Sequence, residues 1–381
     1  MKKTLIFIIV PILAVLVLGT MNVYKKATWK DVTDGITWKE TANGLRAVSV
    51  DPTSEAFLRV NIRKGDILTA INKVPVRTKI DVLKNLWQAA ATDQSVTYQI
   101  NKEGMQIYPT FNLRKRGANP VYFYLVLVGL TTLVIGFVVF FNSKGQMSRP
   151  YVFFYLLALA FAVFCIFSPT GEMTPLDMVF YGLDKAGFLA FPPLLLHFFM
   201  IFPLRKSFLR KRSDVLPVLY APAALLVLAR VRFHIPLPPQ WGEAAILRYQ
   251  DGLERFELLH FAVFALVALG ILAHSTLRAP TILVKKQLRI IVYALAFGVL
   301  PSTVFYLVPF IAGGRPSTGA ELTVLLQALI PLAFSYSISR YRLVDIEVLL
   351  KKAATLIFSF FVIASGTVLA KLSKSQCQQV Y

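Results

Sequence analysis

Histidine, cysteine and acidic residues are all scarce in this chain, and each shortage removes a class of function. The four histidines, His197, His234, His260 and His274, are scattered through apolar sequence, and no pair has a glutamate base at metal-ligand spacing. A zinc-dependent hydrolytic site is therefore not expected. The two cysteines, Cys165 in an apolar run and Cys377 near the C-terminus, cannot build a disulfide framework or a four-thiolate metal site. No cofactor or metal is expected. Asp and Glu number 20 against 41 Lys and Arg, giving a formal charge of +21. In a water-soluble chain such an excess would suggest nucleic acid. Here the basic residues sit in short clusters between long apolar runs, so nucleic acid is not an expected partner and the charge is a topology signal.

What the chain has in abundance is apolar sequence. Of its 381 residues 56% are hydrophobic, and the mean hydropathy is +0.60, more than a water-solvated surface permits. The lipid bilayer is thus an expected partner. Residues 1–22 carry Lys2 and Lys3 ahead of an apolar core without a small-residue cleavage signal, which predicts an uncleaved membrane anchor. Further runs of spanning length are predicted near 121–141, 151–168, 179–203, 215–233, 257–277, 289–312, 321–339 and 353–370. The fold class expected is a mainly α-helical polytopic membrane protein of about nine transmembrane helices, with one small α+β domain between the first and second. The tail to Tyr381 follows the last run.

Short loops carry the orientation signal. One alternate set is strongly basic, including Lys144, Arg149, the cluster Arg205, Lys206, Arg210, Lys211 and Arg212, the pair Lys285 and Lys286, and the pair Lys351 and Lys352. The other set is poorer, with no basic residue between Ser168 and Asp177, the four Arg230, Arg232, Arg248 and Arg255 in the stretch from Arg230 to Glu257, and only Arg315 between Gly313 and Glu321. The basic loops and the N-terminus are expected in the cytoplasm and the small domain outside it. Arg114, Lys115 and Arg116 run against this pattern.

Within residues 34–113, strands are predicted over 45–50, 67–71 and 95–100, with an amphipathic helix over 79–91 whose Ile80, Leu83, Leu86, Trp87 and Ala90 would share a face. The stretch Arg63-Lys64-Gly65-Asp66-Ile67-Leu68-Thr69-Ala70-Ile71-Asn72-Lys73-Val74 closely resembles the Gly-Asp turn, strand and Asn-Gly turn of PDZ domains. Two positions depart from that pattern, Lys73 where Gly is usual and Asn61 where a Gly normally precedes Ile62. The resemblance implies a groove that takes an extended peptide as an added strand, with its terminal carboxylate held by backbone N–H groups. Gly35, Ile36, Thr37 and Trp38 look like the carboxylate loop, and Lys79, Leu83 and Leu86 would line the groove. Trp38, Leu83 and Leu86 could equally be core residues of a small domain. The partner implied is an extracytoplasmic peptide or protein C-terminus.

Three membrane stretches carry a second resemblance. Leu194-Leu195-Leu196-His197-Phe198-Phe199, Lys285-Lys286-Gln287-Leu288-Arg289 with Gly298 and Pro301, and Tyr341-Arg342-Leu343-Val344-Asp345-Ile346-Glu347 resemble the sensor half of bacterial histidine kinases related to the Bacillus competence quorum-sensing kinase. That resemblance implies a multi-pass bacterial inner-membrane receptor, with 121–339 as sensor region, 340–352 as a cytoplasmic juxtamembrane helix and 353–381 as a last span and tail. Its histidines lie in or beside apolar runs and no ATP-binding motif occurs, so enzyme activity is not expected. A separate cytoplasmic kinase or response protein and a second copy of the chain are the further partners this reading admits. A membrane scaffold or protease-associated protein, recruiting partners by their C-termini, is the alternative. Of the polar residues within spans, His197 is expected to pack with a hydrogen bond, and the adjacent Asp184 and Lys185 to point apart as snorkelling anchors.

Overall fold

The computed structural model describes residues 2–28, 31–41, 44–92, 95–102, 104–116, 120–142, 149–170, 174–202, 215–231, 243–312 and 320–339. Contacts divide the chain into two units, residues 24–118 and the combination of 1–23 with the chain from 119 onward. Each has its own core.

Helix α1 (Lys2–Thr28) leads into the smaller unit, which contains β1 (Asp31–Thr33), β2 (Ile36–Thr41), β3 (Gly44–Val50), α2 (Glu55–Leu58), β4 (Ile67–Ile71), β5 (Val74–Pro75), α3 (Lys79–Thr92), β6 (Ser95–Lys102), β7 (Met105–Ile107), β8 (Thr110–Asn112) and β9 (Arg114–Arg116). The main sheet is antiparallel with the order β2-β3-β4-β6-β7, while β5 adds to β4 and β8 to β6. Strand alternation fixes which side chains are buried: Val96, Tyr98 and Ile100 of β6 point inward and join Leu45, Leu68 and Ile71 in the core. Each such fully buried aliphatic contributes about 1.5–3 kcal/mol.

The predicted helix and three strands lie where the sequence put them, but the buried face of α3 is different. Val82, Leu86 and Ala89 are buried, whereas Leu83 is 53% exposed. Two apolar stripes of helical spacing share Leu86, and the start of the helix decides between them. Thr78 Oγ1 accepts from the Asp81 N–H while Asp81 Oδ2 accepts from the Thr78 N–H, a reciprocal cap that fixes the first turn. The cluster Arg114, Lys115 and Arg116, which opposed the charge pattern, forms β9 and pairs with β1 in the register Asp31 to Arg116 and Thr33 to Arg114. These basic residues therefore belong to the small unit rather than to a membrane-flanking loop.

The turn between β4 and β5 places both Asn72 (φ 49°) and Lys73 (φ 67°) in the left-handed region, the type I′ geometry of a two-residue hairpin. Asn72 suits it and also locks it: its Oδ1 accepts from the Thr97 N–H at 2.8 Å and its N–H donates to the Thr97 carbonyl at 2.8 Å. Lys73 is strained there. Asn61, the other departure from the PDZ pattern, has φ 57°.

The larger unit adds α4 (Pro120–Asn142), α5 (Arg149–Ile166), α6 (Pro175–Ile201), α7 (Val215–Val231), α8 (Glu243–Leu277), α9 (Ile282–Ser302), a π-helical turn (Thr303–Leu307), α10 (Val308–Ile311), a 3-10 segment (Ala320–Ala328) and α11 (Leu329–Ser339). Among the described residues five helices are long and apolar enough to cross a membrane, and the apolar segments Pro150–Ile166, Pro217–Val231 and Leu325–Phe334 are shorter. Together these eight segments coincide with eight of the nine runs expected from the sequence. The run 353–370, the segment 340–352 and the tail lie outside the described residues. The span expected from Glu257 begins earlier, at Glu243, which places Glu257 inside a helix rather than at its end.

Small residues bring α4, α5 and α6 into close packing. A Cβ added to Gly136 of α4 would lie 2.5 Å from Ala158 Cβ of α5, and one added to Gly187 of α6 would lie 2.6 Å from the Phe164 N of α5. Backbones approach this closely only over small side chains, the usual means of helix association in lipid. Helix α1 is tied to the same group by Asn22, which is fully buried. Its Nδ2 donates to the Ser168 carbonyl and its Oδ1 accepts from the Ser168 N–H and from the Tyr122 hydroxyl, each at 3.0 Å.

Replacing Lys73 by Gly should raise the stability of residues 24–118 by about 1 kcal/mol, by removing the left-handed strain. Urea unfolding of that segment measures it, and an unchanged midpoint would show that the hairpin does not hold this turn.

Candidate functional site

Two places concentrate polar groups that the fold alone does not require. The first lies in the small unit where β2, the terminal strand of the sheet, runs beside α3. A strand in this position leaves one edge for a further strand. Of the residues expected there, Thr37 and Leu83 are exposed and Ile36 and Gly35 are half-buried. Trp38 and Leu86 are buried members of the core, the alternative that the sequence left open for them. Lys79 opens α3, and its side chain lies outside the described residues.

The loop entering β2 is governed by Asp34, which the sequence reading passed over. Its Oδ2 accepts from Trp38 Nε1 at 2.8 Å and from the Tyr98 hydroxyl at 2.6 Å, and its Oδ1 accepts from the Ile36 N–H at 2.9 Å. The neighbouring Gly35 N–H donates to Thr33 Oγ1 at 3.0 Å. Gly35 has φ 75°, and a Cβ there would lie 2.6 Å from Ser54 Cβ, so the glycine is required by its packing on the following turn. Burial pushes the Asp34 carboxyl above its ordinary value, against the lowering effect of its hydrogen bonds. Burial and the adjacent Asp34 charge raise the Tyr98 phenol well above the ordinary tyrosine range. An Asp four residues ahead of a Trp was the only trace of this cluster in the sequence.

The second place is in the helical unit. Glu257 of α8 is 1% exposed. Arg230 of α7 binds it in bidentate fashion, through Nε to Oε1 and through Nη2 to Oε2 at 2.9 Å. Lys185 of α6 donates to Glu257 Oε2 at 3.3 Å, and Arg230 Nη1 donates to the Tyr181 hydroxyl at 2.8 Å. Lys185 is therefore part of an internal ion cluster, which corrects its reading as a snorkelling anchor. In a low-dielectric setting, a carboxylate on a third helix outweighs access to a distant interface. His260, one turn after Glu257, is buried with both ring nitrogens unpartnered. His197 is buried with Nδ1 at 2.9 Å from the Tyr220 hydroxyl and its ring against Phe153, the packing arrangement expected for it.

The helical unit also encloses a cavity of about 30 Å³ lined by Thr132, Phe154, Leu157, Phe191, Leu195 and Phe334. Its lining is apolar apart from Thr132. Among the described residues no group of His, Cys, Asp or Glu could hold a metal ion.

The chain matches the family described as the N-terminal 7TM region of histidine kinase over residues 124–347. The matched stretch begins within α4 and takes in the described helices through α11. No curated protein matches the chain, and no solved structure does.

Two outcomes follow from this geometry. Because burial raises the folded-state value of Asp34, the group's contribution to stability is complete below its ordinary value of 3.8 and is lost as pH rises through the raised folded value, where the carboxyl ionises. Asp34→Asn should flatten that loss while costing about 1–3 kcal/mol at low pH, since one of the three donors loses its acceptor. Urea unfolding of residues 24–118 across pH 4 to 8 tests both. In the helical unit, Glu257→Ala should cost up to about 3 kcal/mol by leaving the half-buried Arg230 and Lys185 without their shared carboxylate, with Glu254 at 3.8 Å still beside Arg230. Replacing Glu257, Arg230 and Lys185 together by Met should restore most of it, read by thermal unfolding of the full chain in detergent.

Proposed function

Since the chain belongs to the family of the N-terminal 7TM region of histidine kinase, and is therefore a membrane sensor region, we propose that it detects an extended polypeptide outside the cytoplasm. The small domain receives that ligand at the edge of β2 beside α3. Ligand addition there biases the packing of the helical unit, and the change reaches the segment after Ser339, where a cytoplasmic kinase or response partner acts on it. Phosphotransfer is assigned to that partner function and not to the residues described here. The observation that carries the reading is the combination of the family match with a terminal strand flanked by a helix whose Leu83 is exposed. Coupling requires the ligand to bind two arrangements of the protein with different affinity. The close packing of α4, α5 and α6 over Gly136 and Gly187 supports discrete arrangements, because such contacts yield in steps rather than continuously.

The orientation on which this rests is open to direct labelling. Met105 is 70% exposed, and Ser207 stands in the basic loop read as cytoplasmic. With Cys377 replaced by Ser, Met105→Cys should react with a membrane-impermeant maleimide in intact cells, and Ser207→Cys only after lysis. The reverse pattern would place the small domain in the cytoplasm and sink the proposal.

A further inference from the structure

At the loop that a PDZ-like groove would use to hold a chain end, two backbone amides are already taken by the protein's own side chains. The Gly35 N–H is bonded to Thr33 Oγ1 and the Ile36 N–H to Asp34 Oδ1. The buried Asp34 carboxylate is itself held by Trp38 and Tyr98 at 2.8 and 2.6 Å. A carboxylate arriving at this loop would meet amides bonded to internal acceptors and a buried like charge behind them. Like charges brought together at low dielectric repel strongly. Nothing comparable opposes the middle of an extended chain. Strand addition needs only the main-chain edge of β2 and room for alternate side chains, and the exposed Leu83 and half-buried Ile36 offer an apolar contact for one of them.

From this we infer that the β2 edge takes an internal stretch of an extended polypeptide and not a C-terminus, with Asp34 as the residue that excludes the terminal carboxylate. The inference rests on the proposed peptide-binding reading and narrows its ligand class. Asp34 acts here as a specificity-determining residue: its Oδ1 occupies the Ile36 amide and its charge sets the sign of what is refused. Burial raises the Asp34 pKa, so the exclusion should weaken as the pH falls and the carboxyl becomes neutral.

The test uses the full chain in lipid nanodiscs and a random decapeptide library displayed in two formats, one with free C-termini and one with each decapeptide embedded between folded flanking domains. The expected result is enrichment from the embedded format. Synthetic copies of the selected sequences should bind as C-terminal amides at least as tightly as free acids, the acids being about fivefold weaker at neutral pH. Asp34→Asn should narrow that gap, and if this variant does not fold, the amide and acid comparison on the unaltered chain decides alone. Binders found only with free C-termini, losing about tenfold or more on amidation, would overturn the inference and leave the groove reading intact. Failure of both formats to yield a binder sensitive to Leu83→Lys would overturn the groove reading itself, and the inference with it.

Discussion

Glu257 sits between Arg230 and Lys185 with almost none of its surface exposed, and three helices meet at its two oxygens. Hydrocarbon gives no hydrophobic reward for bringing one apolar helix against another. Specific association of α6, α7 and α8 must come from packing and from groups that cannot be left alone. A bidentate guanidinium and an ammonium on one carboxylate meet that need, because separating any member strands a charge where solvation is least available. The remaining contacts of these helices, such as Phe188 stacked on Phe261, fill the space that the charges define.

The small unit follows a different rule with a similar outcome. Its core is assembled by strand alternation and water, yet the buried carboxylate of Asp34 is also tied by a Trp, a Tyr and a backbone amide. Asp34 joins β2 to β6 across the interior of the sheet, since Trp38 belongs to the first and Tyr98 to the second. The loop ahead of β2 is rigid for that reason. Its conformation and its chemistry have the same source, the three bonds to Asp34.

Much of the architecture was legible in the chain. Apolar runs marked the helices because a spanning segment has no alternative use for so many Leu, Val and Phe in sequence, and the Gly65-Asp66 turn marked the start of β4. The rotation of α3 was not legible, because Val82 and Leu83 each begin a stripe that includes Leu86, and a local cap chose between them. The ion cluster was missed for a related reason. Lys185, Arg230 and Glu257 are far apart in sequence, and Lys185 beside Asp184 looks like an ordinary interfacial residue until α8 is extended back to Glu243. Glu257, the last acidic residue of α8 before its apolar stretch, was the available signal. Asp34 left less trace still, since one acidic residue in a turn is ordinary and only folding reveals Tyr98 above it.

The pairing of β1 with β9 has a mechanical consequence. Helix α1 runs into β1, and β9 runs toward α4, so both covalent passages between the small domain and the membrane helices go through one hydrogen-bonded ribbon. A single tether would let a domain swivel without transmitting torque. Two tethers zipped side by side share any twist or tension, and the next residue after β1 is Asp34. Tension at either end of the small domain is thus shared by both strands of one ribbon, as in a wrench rather than a leash.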